Sequence, residues 1–373
     1  MRFSSLKLRL ACWIIVLLIP IVLGLYAWNI QLKQGLIVTG MRNIVIWGLY
    51  ISSFIYFVGL AAGGLIMIAA VYIFGAEKYK PITRIGEVLA AICVFLAMLF
   101  IIPDLGRPDR ILNLILSPNP SSMFIADFIV LTSYFIFTII FGWLTMKEKV
   151  GMRGTLALSA IGLPLAISIH SVTAWIFGLI KARPMWHTAL LAPIFLSSAI
   201  VSAIGLLIFT TILTTKFTNI KIPSNVVSDL GRILSITIPI DIFLLFCEIL
   251  TTSYAAEPRH IEPLSWILLG PYAPAFWTEV TLGIIAFLLM VNPRVRSSTI
   301  ALTISSIFVM VGIWLKRFLI LIPGLSLSPI GEIGVYVPTW IEWSIIVGLY
   351  AFGALLYTLS TQLLPLKVEE KNI

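Results

Sequence analysis

The chain has 373 residues, of which 60% are hydrophobic and 11% charged, and its mean hydropathy is +1.07. A soluble domain carries roughly 25% charged residues, so a soluble fold is excluded and an all-α polytopic membrane protein is the class that fits. The formal net charge of +9 would suit nucleic acid, but the basic residues sit between apolar runs and follow membrane topology, so lipid and not nucleic acid is the expected surrounding.

In chain order, apolar runs bounded by charge, Pro or Gly predict about ten transmembrane helices, at 10–29, 44–74, 86–102, 122–146, 154–180, 190–214, 229–252, 273–291, 299–322 and 339–361. The first follows Arg2, Lys7 and Arg9 as a signal peptide would, but no small-residue cleavage site follows cleanly, so it is expected to be retained. The second is longer than a bilayer requires and is expected to tilt or project. Gly270-Pro271-Tyr272-Ala273-Pro274 should break the helix before the eighth, leaving Ile261 to Leu269 in the interface.

Lys78, Lys80, Arg84, Lys147, Lys149, Arg153, Lys216, Lys221, Arg294, Arg296, Lys367 and Lys371 fall with the N-terminal cations on one side. Fewer cations, among them Arg42, Arg107, Arg110, Lys181, Arg183 and Arg259, fall on the other. The positive-inside rule then puts both termini in the cytoplasm. The segments after the third, fifth and seventh spans therefore emerge outside. They carry Asp104-Leu105-Gly106-Arg107-Pro108, Trp186-His187 and Glu257 to Glu262, so the motif-rich segments share one face.

Ionisable groups within spans are costly and mark function by default. Asp127 and Glu342 lie near the outer interface and Arg232 near the inner one, where snorkelling accounts for them. Asp241 and Glu248 are seven residues apart and share a helix face. With Glu279 on the next span, and Lys316 and Arg317 on the one after, they predict either a proton path or a structural buried ion pair such as Glu248 with Arg317. His170, in Ser168-Ile169-His170-Ser171-Val172-Thr173-Ala174-Trp175, has the chemistry to bond a carbonyl and pass a proton. The alternatives are a histidine bonded to a neighbouring helix, or a haem ligand, for which a facing intramembrane histidine is lacking. Gly59, Gly63 and Gly64 form a small-residue face that serves close helix approach or leaves a slot for a flat ligand. Cys12, Cys93 and Cys247 are isolated in apolar runs, and no Cys or His spacing suits a zinc site or an iron–sulfur cluster, so no metal is expected in this chain.

Trp47-Gly48-Leu49-Tyr50, Val58 to Gly64, Asp104 to Pro108, Ser168 to Trp175, Trp186-His187-Thr188 and Ala192-Pro193-Ile194-Phe195 resemble, in order and spacing, the NrfD family of polysulfide reductase membrane subunits. Asp241, Glu248, Tyr254, Gly270-Pro271-Tyr272, Phe276-Trp277 and Trp314 to Arg317 resemble its ten-helix branch, found in alternative complex III and sulfite-reductase-linked complexes.

The resemblance implies two four-helix bundles at 41–185 and 186–322, flanked by a first helix at 1–40 and a last helix with its tail at 323–373. It implies a menaquinone-type quinone as cofactor, bound near the outer surface of the first bundle. It implies partners too: a ferredoxin-like iron–sulfur subunit on the outer face and a further catalytic or cytochrome subunit. Asp104, Arg107, His170, Tyr50, Tyr56 and Trp175 are the expected quinone-binding residues, with Asp104 and Arg107 pairing with each other or with groups around the headgroup. Asp241, Glu248, Glu279 and Arg317 are the expected proton path. Some members of the family carry a histidine before the glycines of the second span. Here Tyr50 to Tyr56 contains none, which leaves a tyrosine or serine hydroxyl or His170 for that role. The expected function is a quinone-reactive subunit, not catalytic alone, of a respiratory oxidoreductase complex. A passive anchor for an extrinsic enzyme and a secondary transporter are the alternatives.

Overall fold

A computed structural model describes residues 2–147, 149, 151–218, 220–327 and 331–366. The tail cations Lys367 and Lys371 lie outside the described residues. Among those described, ten helices are long and apolar enough to cross a membrane. They are α1 (Arg2–Gln34), α2 (Leu49–Ile73), α3 (Lys80–Asp104), α4 (Met123–Met146), α5 (Met152–Gly178), α6 (Leu191–Phe217), α7 (Ser224–Ala255), α8 (Ala273–Val291), α9 (Thr299–Ser326) and α10 (Trp340–Leu363). Helices dominate because a chain in hydrocarbon must satisfy its backbone polar groups within each segment.

Each spanning helix reverses the one before it. The longer connections 35–48, 105–122, 179–190, 256–272 and 327–339 therefore gather on one face, here termed the loop-rich face. The short connections gather on the other. The break expected around Gly270 to Pro274 is present. A separate helix, Pro258–Leu268, ends there, and α8 starts afresh at Ala273.

Helix α2 is the centre of the packing. It lies against α3, α6, α5 and α9, and most of its length is buried. Helix α4 packs on α3 and α5; α7 packs on α6 and α8; α8 packs on α9; and α1 lies along α10. Small residues permit the closest approaches. A Cβ on Gly63 would stand 2.5 Å from the Ala199 carbonyl oxygen and from the Ala203 side chain of α6. Gly24 of α1 and Gly348 of α10 meet in the same way, each within about 3 Å of the other helix's backbone.

Helix α2 starts at Leu49, not at the expected residue 44. The tertiary structure supplies the reason. Tyr336, from the connection before α10, inserts over Gly48, where a Cβ would overlap its ring, and its hydroxyl accepts the Leu49 N–H at 2.8 Å. That hydroxyl substitutes for one of the backbone acceptors that an incoming helical turn would provide.

Gly63→Val would push α2 from α6, because the obstructing atom is backbone and cannot rotate away. Overpacking of this kind costs roughly 1–3 kcal/mol. Gly142→Ala is the control, since a Cβ there meets only Glu87 Cβ at 3.9 Å. Thermal unfolding in detergent should show a lower midpoint for the first variant and an unchanged one for the second.

Candidate functional site

Two consecutive residues of α9, Lys316 and Arg317, hold the interior together, and both are almost fully buried. Successive residues on a helix point about 100° apart, so the two cations enter different helix junctions. Lys316 Nζ donates to Asp241 Oδ2 of α7 at 2.6 Å and lies 3.3 Å from Glu279 Oε1 of α8. Ser197 Oγ of α6 donates to Asp241 Oδ1 at 2.8 Å. A cavity of about 30 Å³ adjoins these carboxylates and Lys316, with Gly283 and Gly312 in its wall. That volume accommodates a water molecule where polar partners converge.

Arg317 turns the other way, into the junction of α2, α5 and α6. Its Nη2 donates to Ser198 Oγ at 2.7 Å and to the Phe195 carbonyl oxygen at 3.1 Å, and its guanidinium stacks 4.2 Å from the centre of the Phe195 ring. The same nitrogen lies 3.3 Å from His170 Nε2. The carbonyl oxygen of Phe195 only accepts, so the short contact from His170 Nε2 to it makes that nitrogen a donor and leaves Nδ1 as an acceptor. Nδ1 is buried without a protein partner, as are Nε and Nη1 of Arg317. Gly59 borders both side chains: a Cβ there would be 3.3 Å from His170 Cε1 and 3.6 Å from Arg317 Nη2. Of the small-residue face, Gly63 serves helix packing and Gly59 leaves room beside the His170–Arg317 pair.

A second polar group lies at the loop-rich end of the first helices. Gln31 of α1 accepts from the Tyr50 hydroxyl at 2.6 Å and donates to the Pro103 carbonyl oxygen at 2.6 Å, so one amide ties α1, α2 and α3 together. Next to Pro103, Asp104 is half-buried and its Oδ1 is enclosed with no protein partner. Glu342 of α10 is fully buried nearby. It accepts from the Gly40 N–H at 2.6 Å, the Thr339 N–H at 2.9 Å and the Tyr336 hydroxyl. Burial, then Glu342 beside it, pushes the Tyr336 hydroxyl well above its ordinary value.

Several expectations need correction. Arg107 does not pair with Asp104. It is exposed and forms a two-pronged pair with Asp109, at 2.9 and 2.8 Å, which holds the Asp109 carboxyl below its usual value. Gly106 causes this: at φ +63° it turns the chain so that Arg107 leaves the direction of α3. Glu248 does not reach Arg317; it accepts from the Thr188 hydroxyl at 2.9 Å. Asp127 and Glu342 do not snorkel, for both are buried, Asp127 accepting from Thr173 at 2.7 Å. Arg232, by contrast, is exposed.

The expected quinone-binding residues therefore occupy separate places. Tyr50 and Asp104 lie at the loop-rich end, and His170 and Tyr56 lie deeper, near Arg317. Arg107 is on the surface, and Trp175 is 46% exposed on α5. Of the expected proton path, Asp241 and Glu279 meet through Lys316 and Arg317 adjoins them, while Glu248 stands apart with Thr188. The sequence reasoning missed Gln31, Ser197 and Ser198, and assigned Glu342 to snorkelling only. The only local signal was polarity inside apolar runs.

Buried charges at a multi-helix junction, with polar atoms left open beside α2, define a polytopic membrane protein built around an internal polar site. The chain belongs to the polysulphide reductase NrfD family, whose description matches residues 37–328. It is 32% identical to a Halobacterium salinarum protein named as a membrane subunit of dimethyl sulfoxide reductase, over 95% of this chain and 91% of that one. It is 28% identical to the Hdr-like menaquinol oxidoreductase integral membrane subunit of Archaeoglobus fulgidus, over 95% and 92%. It is 24% identical to the menaquinone reductase integral membrane subunit of Nitratidesulfovibrio vulgaris, over 94% and 90%.

Lys316→Met would strand two carboxyl groups in the bundle. Removing one partner of a buried ion set costs about 3–5 kcal/mol, so SDS unfolding should show a large loss of stability. The triple variant Lys316→Met/Asp241→Asn/Glu279→Gln should recover most of it. A single variant as stable as the parent would mean that Lys316 does not hold charge in place.

Proposed function

We propose that this chain is the quinone-reactive integral membrane subunit of a respiratory oxidoreductase complex, and that Asp104 and His170 are its principal quinone-facing groups. The observation that carries this is a pair of enclosed polar atoms without protein partners, Asp104 Oδ1 and His170 Nδ1, both beside α2. Buried polar groups are ordinarily paired, so each of these atoms can receive a headgroup oxygen, and at roughly 9–14 Å apart they are successive positions on one path along α2, not the two ends of one headgroup. The two relatives named for menaquinol and menaquinone chemistry support a menaquinone-type ligand.

When bound, a quinone supplies the exchange of two electrons and two protons. The residues of this chain supply binding and proton handling. Tyr50, fixed by Gln31, and Asp104 receive the headgroup at the loop-rich end. Tyr56, and Gly59 with His170 of α5 beside it, lie roughly 9–14 Å further along α2, six and nine residues on at 1.5 Å rise. The Phe195 carbonyl oxygen holds the imidazole in orientation, Arg317 donates to that same oxygen and to Ser198, and Ser197, the neighbouring residue on α6, donates to Asp241. Asp241, Glu279 and Lys316 then keep a proton exchangeable within the second helix group, with Glu248 and Thr188 towards the loop-rich face.

The electrons pass to a ferredoxin-like iron–sulfur subunit docked on the loop-rich face, with a further catalytic or cytochrome subunit beyond it. That face is exterior and both termini are cytoplasmic, as the loop cations indicate. The two functional halves are residues 41–185 and 186–322, each a four-helix unit. A passive anchor would have no use for the enclosed, unpartnered atoms Asp104 Oδ1 and His170 Nδ1.

Asp104→Asn and His170→Ala should each weaken quinone binding about tenfold, a change of about 1.4 kcal/mol, measured by titrating the purified protein with menaquinone in nanodiscs. Unchanged binding in both would remove this site. Asp241→Asn should instead lower quinone-dependent turnover of the assembled complex while leaving quinone affinity as it is.

A further inference from the structure

We infer that the two flanking helices, α1 and α10, complete the quinone site, with Gln31 and Glu342 as positioning residues that hold Tyr50 and Asp104 towards the ligand. This rests on the proposed quinone reading and deepens it. The family match covers residues 37–328, and Gln31, Tyr336 and Glu342 all lie outside it. Helices placed only to flank a bundle would need apolar contact alone.

The contacts are more specific than that. Gln31 uses both ends of its amide, accepting from Tyr50 and donating to the carbonyl oxygen of Pro103. It thereby sets the orientation of the hydroxyl on α2 and of the last turn of α3, from which Asp104 projects. The Tyr50 hydrogen is committed to Gln31, and the enclosed Asp104 Oδ1 is the atom of this group left open. A carboxyl oxygen is suited to either redox form of a quinone headgroup, because it accepts from a hydroxyl when ionised and donates to a carbonyl when protonated.

Glu342 closes the group from α10. It sits third in that helix in a capping box with Thr339 and also takes the backbone N–H of Gly40 and the hydroxyl of Tyr336. Its oxygens are thus occupied by donors from the connections before α2 and before α10. Through Tyr336, whose hydroxyl donates to Glu342 and accepts the Leu49 N–H, Glu342 is tied to the residue directly before Tyr50. The other charged groups of this end are turned away. Arg42 donates to the carbonyl oxygens of Thr39 and Met41, Arg107 is paired with Asp109, and Lys33 and Glu332 are exposed. The glycine contact between Gly24 and Gly348 brings the helices close enough for both residues to reach the site.

The test uses the full purified chain in nanodiscs and dimethylnaphthoquinone as the probe, with binding read from quenching of tryptophan fluorescence. Gln31→Leu and Glu342→Gln should each weaken binding about fivefold or more, and Gln31→Leu/Tyr50→Phe should be no weaker than Gln31→Leu alone. Glu342→Asp should recover part of the loss. Thr358→Val is the control, because Thr358 of α10 accepts from Trp13 of α1 at 3.2 Å and so joins the same two helices at their other end. Thr358→Val should bind as the parent does. The inference is overturned if Gln31→Leu and Glu342→Gln bind the probe normally, or if all three single variants weaken it alike, which would make the contacts structural only. If the parent chain itself fails to bind, the quinone reading falls and the inference with it.

Discussion

The structure depends on how Lys316 and Arg317 are neutralised in the interior of the helix bundle. An unpaired charge in hydrocarbon costs several kcal/mol or more, and two cations side by side on one helix would repel. The fold resolves this by placing Asp241 and Glu279 on one side and a cradle of uncharged acceptors on the other. The two cations thus meet two acidic side chains within one buried set. Five helices must keep their relative positions for that balance to hold: α5, α6, α7, α8 and α9. The packing of the two halves is therefore fixed by electrostatics as much as by side-chain volume, because lipid offers no hydrophobic force to press helices together.

Ser197 and Ser198 show how closely the two polar junctions are joined. They are neighbours on α6, one donating to Asp241 and the other accepting from Arg317. A change in orientation or charge on one side of α6 is transmitted to the other through a single peptide unit. The small residues of α2 serve the same end. Gly63 lets α6 come near enough for Phe195 and Ser198 to meet Arg317, and Gly59 leaves the space in which His170 sits.

The ten spans were legible in the sequence because each is a long apolar run with charged or proline-rich ends, a property of the segment alone. The helix break before α8 was legible for the same reason, since Gly and Pro act locally. The start of α2 was not, because it is set by Tyr336, nearly 290 residues away. Asp127 and Glu342 lay near span ends, where snorkelling is the ordinary outcome. Their burial comes from Thr173 and from a connection that folds back over the membrane end of α10. The ionic partners were half legible: periodicity put Asp241 and Glu248 on one face, and both do reach towards α6 and the segment before it, at Ser197 and Thr188. Periodicity could not say which of Lys316 and Arg317 faced which acid, because that follows from the rotation of α9 against its neighbours.

Asp104 illustrates what a motif conveys and what it withholds. Asp104, Gly106 and Arg107 stand together in sequence, which invites an ion pair. Gly106 instead separates them, sending Arg107 to the surface and Asp109 while Asp104 stays with α3. The separation is what makes Asp104 useful, since an acid neutralised by its neighbouring guanidinium would have no open oxygen to offer. Gln31 fixes the backbone directly before it, and Glu342 takes up the Gly40 N–H and the Tyr336 hydroxyl. On the proposed reading, Asp104 is available to a ligand because the fold leaves its enclosed Oδ1 without a protein partner.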